Sequence, residues 1–222
     1  MPAIFFGSIS TVVDTSERQR EAFNQAFTAH GLDWSWDREE YRSLLERAGG
    51  RDRVAQYAAD RGQDVDADAV HATKSKLFRQ ALSGGDLTAR AGVLDAIGRA
   101  RGAGASVGFV TTTSRDNVRA LLDGLGDALD ADAFAVVLDR DDVATPKPDP
   151  AVYATALERL GENAGLCVAV EDNPDGVSAA LAAGLTCLAF PNENTAGATF
   201  PADARRVDRL DPDEIDQLLR GA

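Results

Sequence analysis

Histidine and cysteine are scarce, with two of each in 222 residues. Two histidines cannot build a His-rich metal centre. Cys167 and Cys187 each lie inside an apolar segment. That suits two buried, reduced thiols of a cytosolic protein better than a disulfide or a thiolate metal site. No apolar run is long enough to cross a membrane. The N-terminal stretch lacks the basic segment and apolar centre of a secretory signal. Repeats and low-complexity tracts are missing as well. The expectation is a soluble, cytoplasmic protein. Positive charge is also short: 23 Lys and Arg against 36 Asp and Glu give a formal net charge of −13. Such a surface repels nucleic acid and anionic membrane, so neither is expected as a partner. Any phosphorylated ligand would need a local cationic pocket.

What remains is ordinary folding material, 44% apolar and 27% charged. The length allows one sizeable core, or a core with a small inserted domain. Ala3-Ile4-Phe5-Phe6 reads as a buried strand, broken by the small and hydroxylic residues from Gly7 to Thr11. Helical spacing follows over Ser16 to Gly31, Glu39 to Ala48, Arg51 to Arg61 and Ala67 to Leu82, with Ser83-Gly84-Gly85 closing the segment. Asp37 is a good cap for the second of these. From Leu87 onward helix and strand alternate. Helices are expected over Gly92 to Arg101, Ser114 to Leu125 (capped by Ser114), Pro150 to Leu160, Pro174 to Ala183 and Asp211 to Leu219. Strands are expected over Ala105 to Val110, Ala133 to Leu138, Leu166 to Val170 and Leu185 to Phe190. Strands separated by helices imply a parallel sheet covered on both faces. The predicted fold is therefore α/β: a Rossmann-like core, residues 1–15 and 87–222, with a helical domain inserted at 16–86.

Open parallel sheets bind ligands at the carboxyl ends of their strands. That rule gathers four loops, Gly7–Thr11, Thr111–Ser114, Ala144–Asp149 and Glu171–Asp175, next to which the helical insert could act as a lid. In the second loop, hydroxyls and free backbone N–H groups at a helix start can hold an anion, although capping alone explains such a loop as well. In the third, prolines flank Lys147 and fix where it points. A lysine at a strand-end cleft would neutralise a phosphoryl oxygen or a carboxylate, and a rigid turn with a solvated lysine is the plainer alternative. In the fourth, the adjacent carboxylates Glu171 and Asp172 suit a hard cation such as Mg²⁺. A capped helix start explains them equally.

Taken together, these stretches resemble the motifs of the haloacid dehalogenase superfamily of phosphatases and phosphomutases. Thr111 sits at the end of the second motif's strand, Thr145-Pro146-Lys147-Pro148-Asp149-Pro150 is similar to the third, and Val170-Glu171-Asp172-Asn173 through Gly184 to the fourth. The insert, with Asp37 to Tyr41 and Gly49-Gly50-Arg51, resembles the cap of the subgroup holding β-phosphoglucomutase, phosphoglycolate phosphatase and CbbY-type sugar-bisphosphate phosphatases. The resemblance implies a small phosphorylated metabolite held by Thr111, Thr112 and Lys147. Lys147 would be catalytic, Gly50 and Arg51 would help choose the substrate, and Glu171 and Asp172 would hold Mg²⁺.

The first motif departs from this pattern. Phe6 to Thr15 keeps its frame, but Gly7 stands where the family carries its aspartate nucleophile and Ile9 where it carries the general acid. Gln19 stands where the mutase and CbbY-type members tend to have His. Losing a nucleophile typically costs on the order of 10⁶-fold in rate. Mg²⁺ is expected to bind weakly or not at all, and Lys147 could instead pair directly with Glu171 or Asp172. Ser8 is offset by one residue from the nucleophile position and, on an extended strand end, would point the other way. The expectation is a catalytically impaired scaffold, a pseudoenzyme, that keeps a phosphate-binding cleft. The alternatives are an active Mg²⁺-dependent phosphate-ester hydrolase with a non-standard nucleophile, and an interaction protein using only the fold.

Overall fold

The structure, a computed structural model, describes residues 1–45, 49–84, 87–129 and 131–221. The expected end of the second helix at Ala48, the closing Gly85 and the 86/87 domain boundary involve positions outside the described residues. The chain divides into two compact units, Met1–Asp14 with Gly85–Ala222, and Thr15–Gly84.

The first unit contains β1 (Ala3–Phe6), a four-residue helix α1 (Ile9–Val12), and, beyond the second unit's segment, the remaining strands. The second unit's four helices are α2 (Ser16–Ala29), α3 (Arg38–Leu44), α4 (Gly50–Asp60) and α5 (Ala67–Ser83). There follow α6 (Val93–Gly102), β2 (Ser106–Val110), α7 (Arg115–Leu125), β3 (Val136–Leu138), α8 (Ala151–Leu160), β4 (Val168–Glu171) and α9 (Pro174–Ala182). The chain ends with β5 (Thr186–Ala189), β6 (Arg205–Arg206) and α10 (Pro212–Leu219). The six strands form one sheet in the order β3-β2-β1-β4-β5-β6, and every pairing is parallel. β1 lies at the centre and is buried along its whole length, which is why its sequence is apolar without alternation.

Several elements differ from the sequence expectation; the strand expected from Leu166 begins at Val168, after a 3-10 turn over Ala164–Leu166. Residues 131–133 form a 3-10 turn, so β3 begins only at Val136. β6 is two exposed arginines, which carry no strand pattern to read. Thr15 joins the helical unit because its carbonyl accepts from Gln19 N at 2.9 Å and starts α2. Ser114 does stand at the start of α7, but its hydroxyl makes no capping bond.

The core of the α/β unit packs Phe5, Val110, Leu138, Val152, Tyr153, Ala169 and Val177 together, with both cysteines buried and free among them. The helical unit is organised by aromatic rings. Phe27 meets the edge of Trp36 with centroids 4.6 Å apart, and Phe23 lies 4.9 Å from the same ring. Offset and edge-to-face pairs of this kind add to the area they bury. Among the described residues no helix is long and apolar enough to cross a membrane.

Candidate functional site

The first turn sets the geometry. β1 ends at Phe6, and Gly7 N donates to Val170 O at 3.0 Å, holding the turn to β4. Ser8 is extended (φ −156°, ψ 169°) and starts α1 as its N-cap. Its Oγ accepts from Thr11 N at 3.1 Å, while Thr11 Oγ1 accepts from Ser8 N at 3.2 Å. This reciprocal box fixes Ser8. Strand alternation therefore stops before Ser8. Instead of pointing away, its Oγ donates to Asp172 Oδ1 at 2.6 Å. Ile9 is buried as the first residue of α1.

Lys147 reaches the centre of the sheet's carboxyl end. Its Nζ donates to Gly7 O at 2.6 Å, Val110 O at 2.8 Å and Glu171 Oε1 at 2.6 Å. Its side chain is 7% exposed and that of Glu171 is 0% exposed, so this is a buried ion pair. Three such bonds use the full donor capacity of an ammonium. Tyr153 OH also donates to Glu171 Oε1, at 2.6 Å. Burial pushes the Glu171 carboxyl above its usual range, with the Lys147 charge pulling the other way. Burial, followed by the Glu171 charge, raises the Tyr153 phenol well above the usual range.

The glutamate occupies a narrow slot. A Cβ built on Gly7 would lie 2.1 Å from Glu171 Oε1 and 2.5 Å from Tyr153 OH. A Cβ on Gly176 would lie 2.2 Å from Glu171 Cδ. The side chain thus fits only because both neighbours are glycines. It fills the space in which a side chain at position 7 would begin.

Asp172 is committed separately. Oδ1 accepts from Ser8 and, at 3.2 Å, from Asn173 Nδ2, and Oδ2 accepts from Asn192 Nδ2 at 2.7 Å. Thr195 Oγ1 binds the Asp172 carbonyl at 2.6 Å. The β5-side loop is held in turn by Arg90. Its guanidinium donates to Ser10 O and Phe190 O at 2.9 Å each, and stacks on the Phe190 ring at 3.4 Å from its centroid. Sequence reading missed Asn192, Thr195 and Arg90. The available signal was the Asn192 to Thr195 turn directly after a buried strand, at the same sheet end as the other loops.

On the other side of β1, Thr111 is buried at the end of β2, and its Oγ1 accepts from Thr113 N at 3.2 Å. The next residue of the loop, Thr112, lines a cavity of about 290 Å³ together with Arg140, Asp141, Val143, Ala144 and Pro146. The Lys147–Pro148 peptide is cis.

The residues present do not fit a resident Mg²⁺. Glu171 Oε1 is saturated by Lys147 and Tyr153, and both Asp172 oxygens accept from neutral donors. Oε2 of Glu171 is buried without a hydrogen-bond partner. A single such oxygen beside a lysine does not make an octahedral oxygen site. Among the described residues no three of His, Cys, Asp and Glu group closely enough to hold a metal.

Gly50 and Arg51 lie within the helical unit. Arg51 is half exposed and binds Asp68 at 3.1 Å and Asp52 at 3.0 Å. A Cβ on Gly50 would fall 2.9 Å from His71 Nε2. The same unit holds a buried cation that sequence reading passed over. Lys74 Nζ donates to Gln19 Oε1 at 2.9 Å and lies 4.7 Å from the ring centroids of both Phe23 and Phe78. Burial, followed by the Arg53 charge, lowers its pKa to about 7.

The six-stranded parallel sheet, the inserted helical unit and the strand-end loops carrying Thr111, Lys147, Glu171 and Asp172 define a Rossmann-like α/β scaffold with its candidate site at the carboxyl end of the sheet. The family described as haloacid dehalogenase-like hydrolase matches residues 1–184, and the chain belongs to that family. It is 36% identical over 213 residues to the protein CbbY of Rhodobacter capsulatus, covering 95% of this chain and 94% of that protein. The crystal structure of CbbY from Rhodobacter sphaeroides in complex with phosphate superposes with a TM-score of 0.82 at 36% identity, covering 94% of each chain. A mutant of that protein in complex with xylulose-1,5-bisphosphate matches with the same TM-score, identity and coverage. These similarities place the chain in the CbbY-like and phosphoglycolate-phosphatase-like branch.

Proposed function

We propose that this protein binds a small phosphorylated metabolite of the sugar-phosphate class at the carboxyl end of its sheet, and does so without the carboxylate-nucleophile chemistry of its family. One observation carries the second half: a Cβ on Gly7 would lie 2.1 Å from Glu171 Oε1. The slot in which a nucleophilic aspartate would begin is taken by a glutamate already paired with Lys147. Phosphate binding is supported by the Thr111 turn, the adjoining cavity and the ligands of the CbbY relatives.

In this reading Thr111 and Thr112 supply the anion contacts. Lys147 supplies its charge from within the pair, reaching a ligand oxygen only by releasing one of its three acceptors. The substrate-choosing role of Gly50 and Arg51 is part of the same proposal, as is the helical unit's role as a cap. The pseudoenzyme reading is kept only for the aspartate route, whose loss costs on the order of 10⁶-fold.

The test is thermal shift with inorganic phosphate and a panel of sugar mono- and bisphosphates. At about a hundred times Kd, a ligand adds about 2.7 kcal/mol, or roughly 5–11 °C for a chain of this size. A shift with at least one ester that Thr111→Val reduces supports the reading. No shift with any of them overturns it. A hydroxylamine-labile acyl phosphate on the protein would overturn the claim that carboxylate chemistry is absent.

A further inference from the structure

We propose that Ser8 is a phosphoryl-accepting nucleophile in this cleft and Asp172 its general base. The inference rests on the phosphate-binding reading above and gives that site a reaction. Ser8 Oγ donates to Asp172 Oδ1 at 2.6 Å, within the reach expected of a nucleophile and its base. The base is itself oriented: Asn192 Nδ2 binds its other oxygen at 2.7 Å, and Asn173 Nδ2 approaches Oδ1 at 3.2 Å. Asp172 is 4% exposed, whereas Ser8 is only half-buried. The hydroxyl can therefore meet a ligand, while the carboxylate is shielded from water.

Capping does not account for this arrangement. An N-cap needs the serine oxygen only as an acceptor, and Thr11 N fills that role at 3.1 Å. The O–H is spare, and it is aimed at a buried carboxylate. A hydroxyl oxygen has two lone pairs, so one remains for attack. The residue before it, Gly7, presents its carbonyl to Lys147 Nζ at 2.6 Å, which sets a cation one residue from the attacking oxygen.

The reaction balances without another reactant. A lone pair of Ser8 Oγ forms the Oγ–P bond as the ester P–O bond breaks. The serine proton passes to Asp172 Oδ1 and then to the departing alkoxide. Water next attacks phosphorus and gives a proton to Asp172, the Oγ–P bond breaks, and the proton returns to Oγ. The products are the alcohol and inorganic phosphate.

The test uses the full chain with acetyl phosphate and with p-nitrophenyl phosphate, quenched in acid and followed by intact mass and peptide mapping. One phosphoryl group is expected on the peptide containing Ser8, stable to hydroxylamine as a serine ester is and an acyl phosphate is not. Asp172→Asn should slow labelling by roughly 10²–10⁴-fold, the usual contribution of a general base. Ser8→Ala should not label. Should the lost cap unfold it, Ser8→Asn keeps the capping acceptor and should fold without labelling. An unlabelled wild type, a hydroxylamine-labile label, or a label that persists in a folded Ser8 variant overturns the proposal. If phosphate still shifts the melting temperature while the wild type stays unlabelled, this inference alone fails. If phosphate does not bind, the binding reading fails with it.

Discussion

Adding one methyl group at Gly7 should be costly, and the reason lies across the turn rather than in the backbone. Gly7 does not adopt a positive φ, so alanine meets no conformational penalty there. Its Cβ would instead lie 2.1 Å from Glu171 Oε1 and 2.5 Å from Tyr153 OH. The glutamate has no retreat towards α9, because it already lies against Gly176, where a Cβ would be 2.2 Å from Glu171 Cδ. Displacing it breaks the buried pair with Lys147 (2.6 Å) and the bond from Tyr153 (2.6 Å). Breaking a buried ion pair by losing one partner costs about 3–5 kcal/mol, so Gly7→Ala should lose that much. For a chain of this length that is roughly 6–20 °C in Tm. Glu171→Ala alone should cost a similar amount, since it leaves Lys147 without its counter-charge. The double variant should then cost less than the sum by about 3 kcal/mol or more, because without Glu171 the methyl displaces no ion pair and enters the vacated slot. Urea unfolding of all four proteins measures the cycle. A neutral Gly7→Ala, or simple additivity, would refute the claim that Glu171 fills the nucleophile's place. The same geometry implies that Gly7→Asp forms no aspartyl phosphate while Glu171 stays where it is.

Other outcomes follow from the same contacts. Lys74 has its pKa lowered from 10.5 to about 7 in the folded protein. Between those values the unfolded chain holds a proton that the folded one lacks, so stability should rise with pH through that window and be flat below it. The gain between pH 7 and 9 should be about 2 kcal/mol, and urea unfolding at both values should show that increment disappearing in Lys74→Met. Gly92 has φ +83°, and its Cβ would lie 2.0 Å from the Leu210 carbonyl oxygen. Gly92→Ala should therefore cost about 3 kcal/mol or more from strain and overpacking together. Gly98→Ala on α6, where nothing lies within 4 Å, should stabilise by about 0.5–1 kcal/mol, and thermal melts of the two variants should move in opposite directions.

Much of the architecture was legible in the sequence because the two periodicities are clear in it. The unbroken apolar run of β1 announced a central parallel strand, and helical spacing with Gly and Pro punctuation marked most of the helices. The motif residues Thr111, Lys147, Glu171 and Asp172 could be placed at one sheet end from topology alone. Ser8 was misjudged because strand alternation was carried past Phe6, into a residue that caps a helical turn. Alternation holds only while the backbone stays in the sheet. Lys74 could have been found. It falls on the Val70, Phe78 and Leu82 stripe of α5 at four-residue spacing, and a lysine in such a stripe is a buried cation. The slot around Glu171 could not be read, because it depends on Gly7 and Gly176 approaching one side chain from far apart in the chain. The Asn192 bond to Asp172 joins residues twenty positions apart and leaves no local pattern.

The most direct test of the central claim is a calorimetric titration of inorganic phosphate into protein stripped with EDTA, repeated with millimolar Mg²⁺. If the cleft binds the anion through its own loops, with Glu171 and Asp172 already committed to protein donors, the two affinities should agree and Thr111→Val should weaken both. Binding that appears only with Mg²⁺ and is lost in Asp172→Asn would contradict the account.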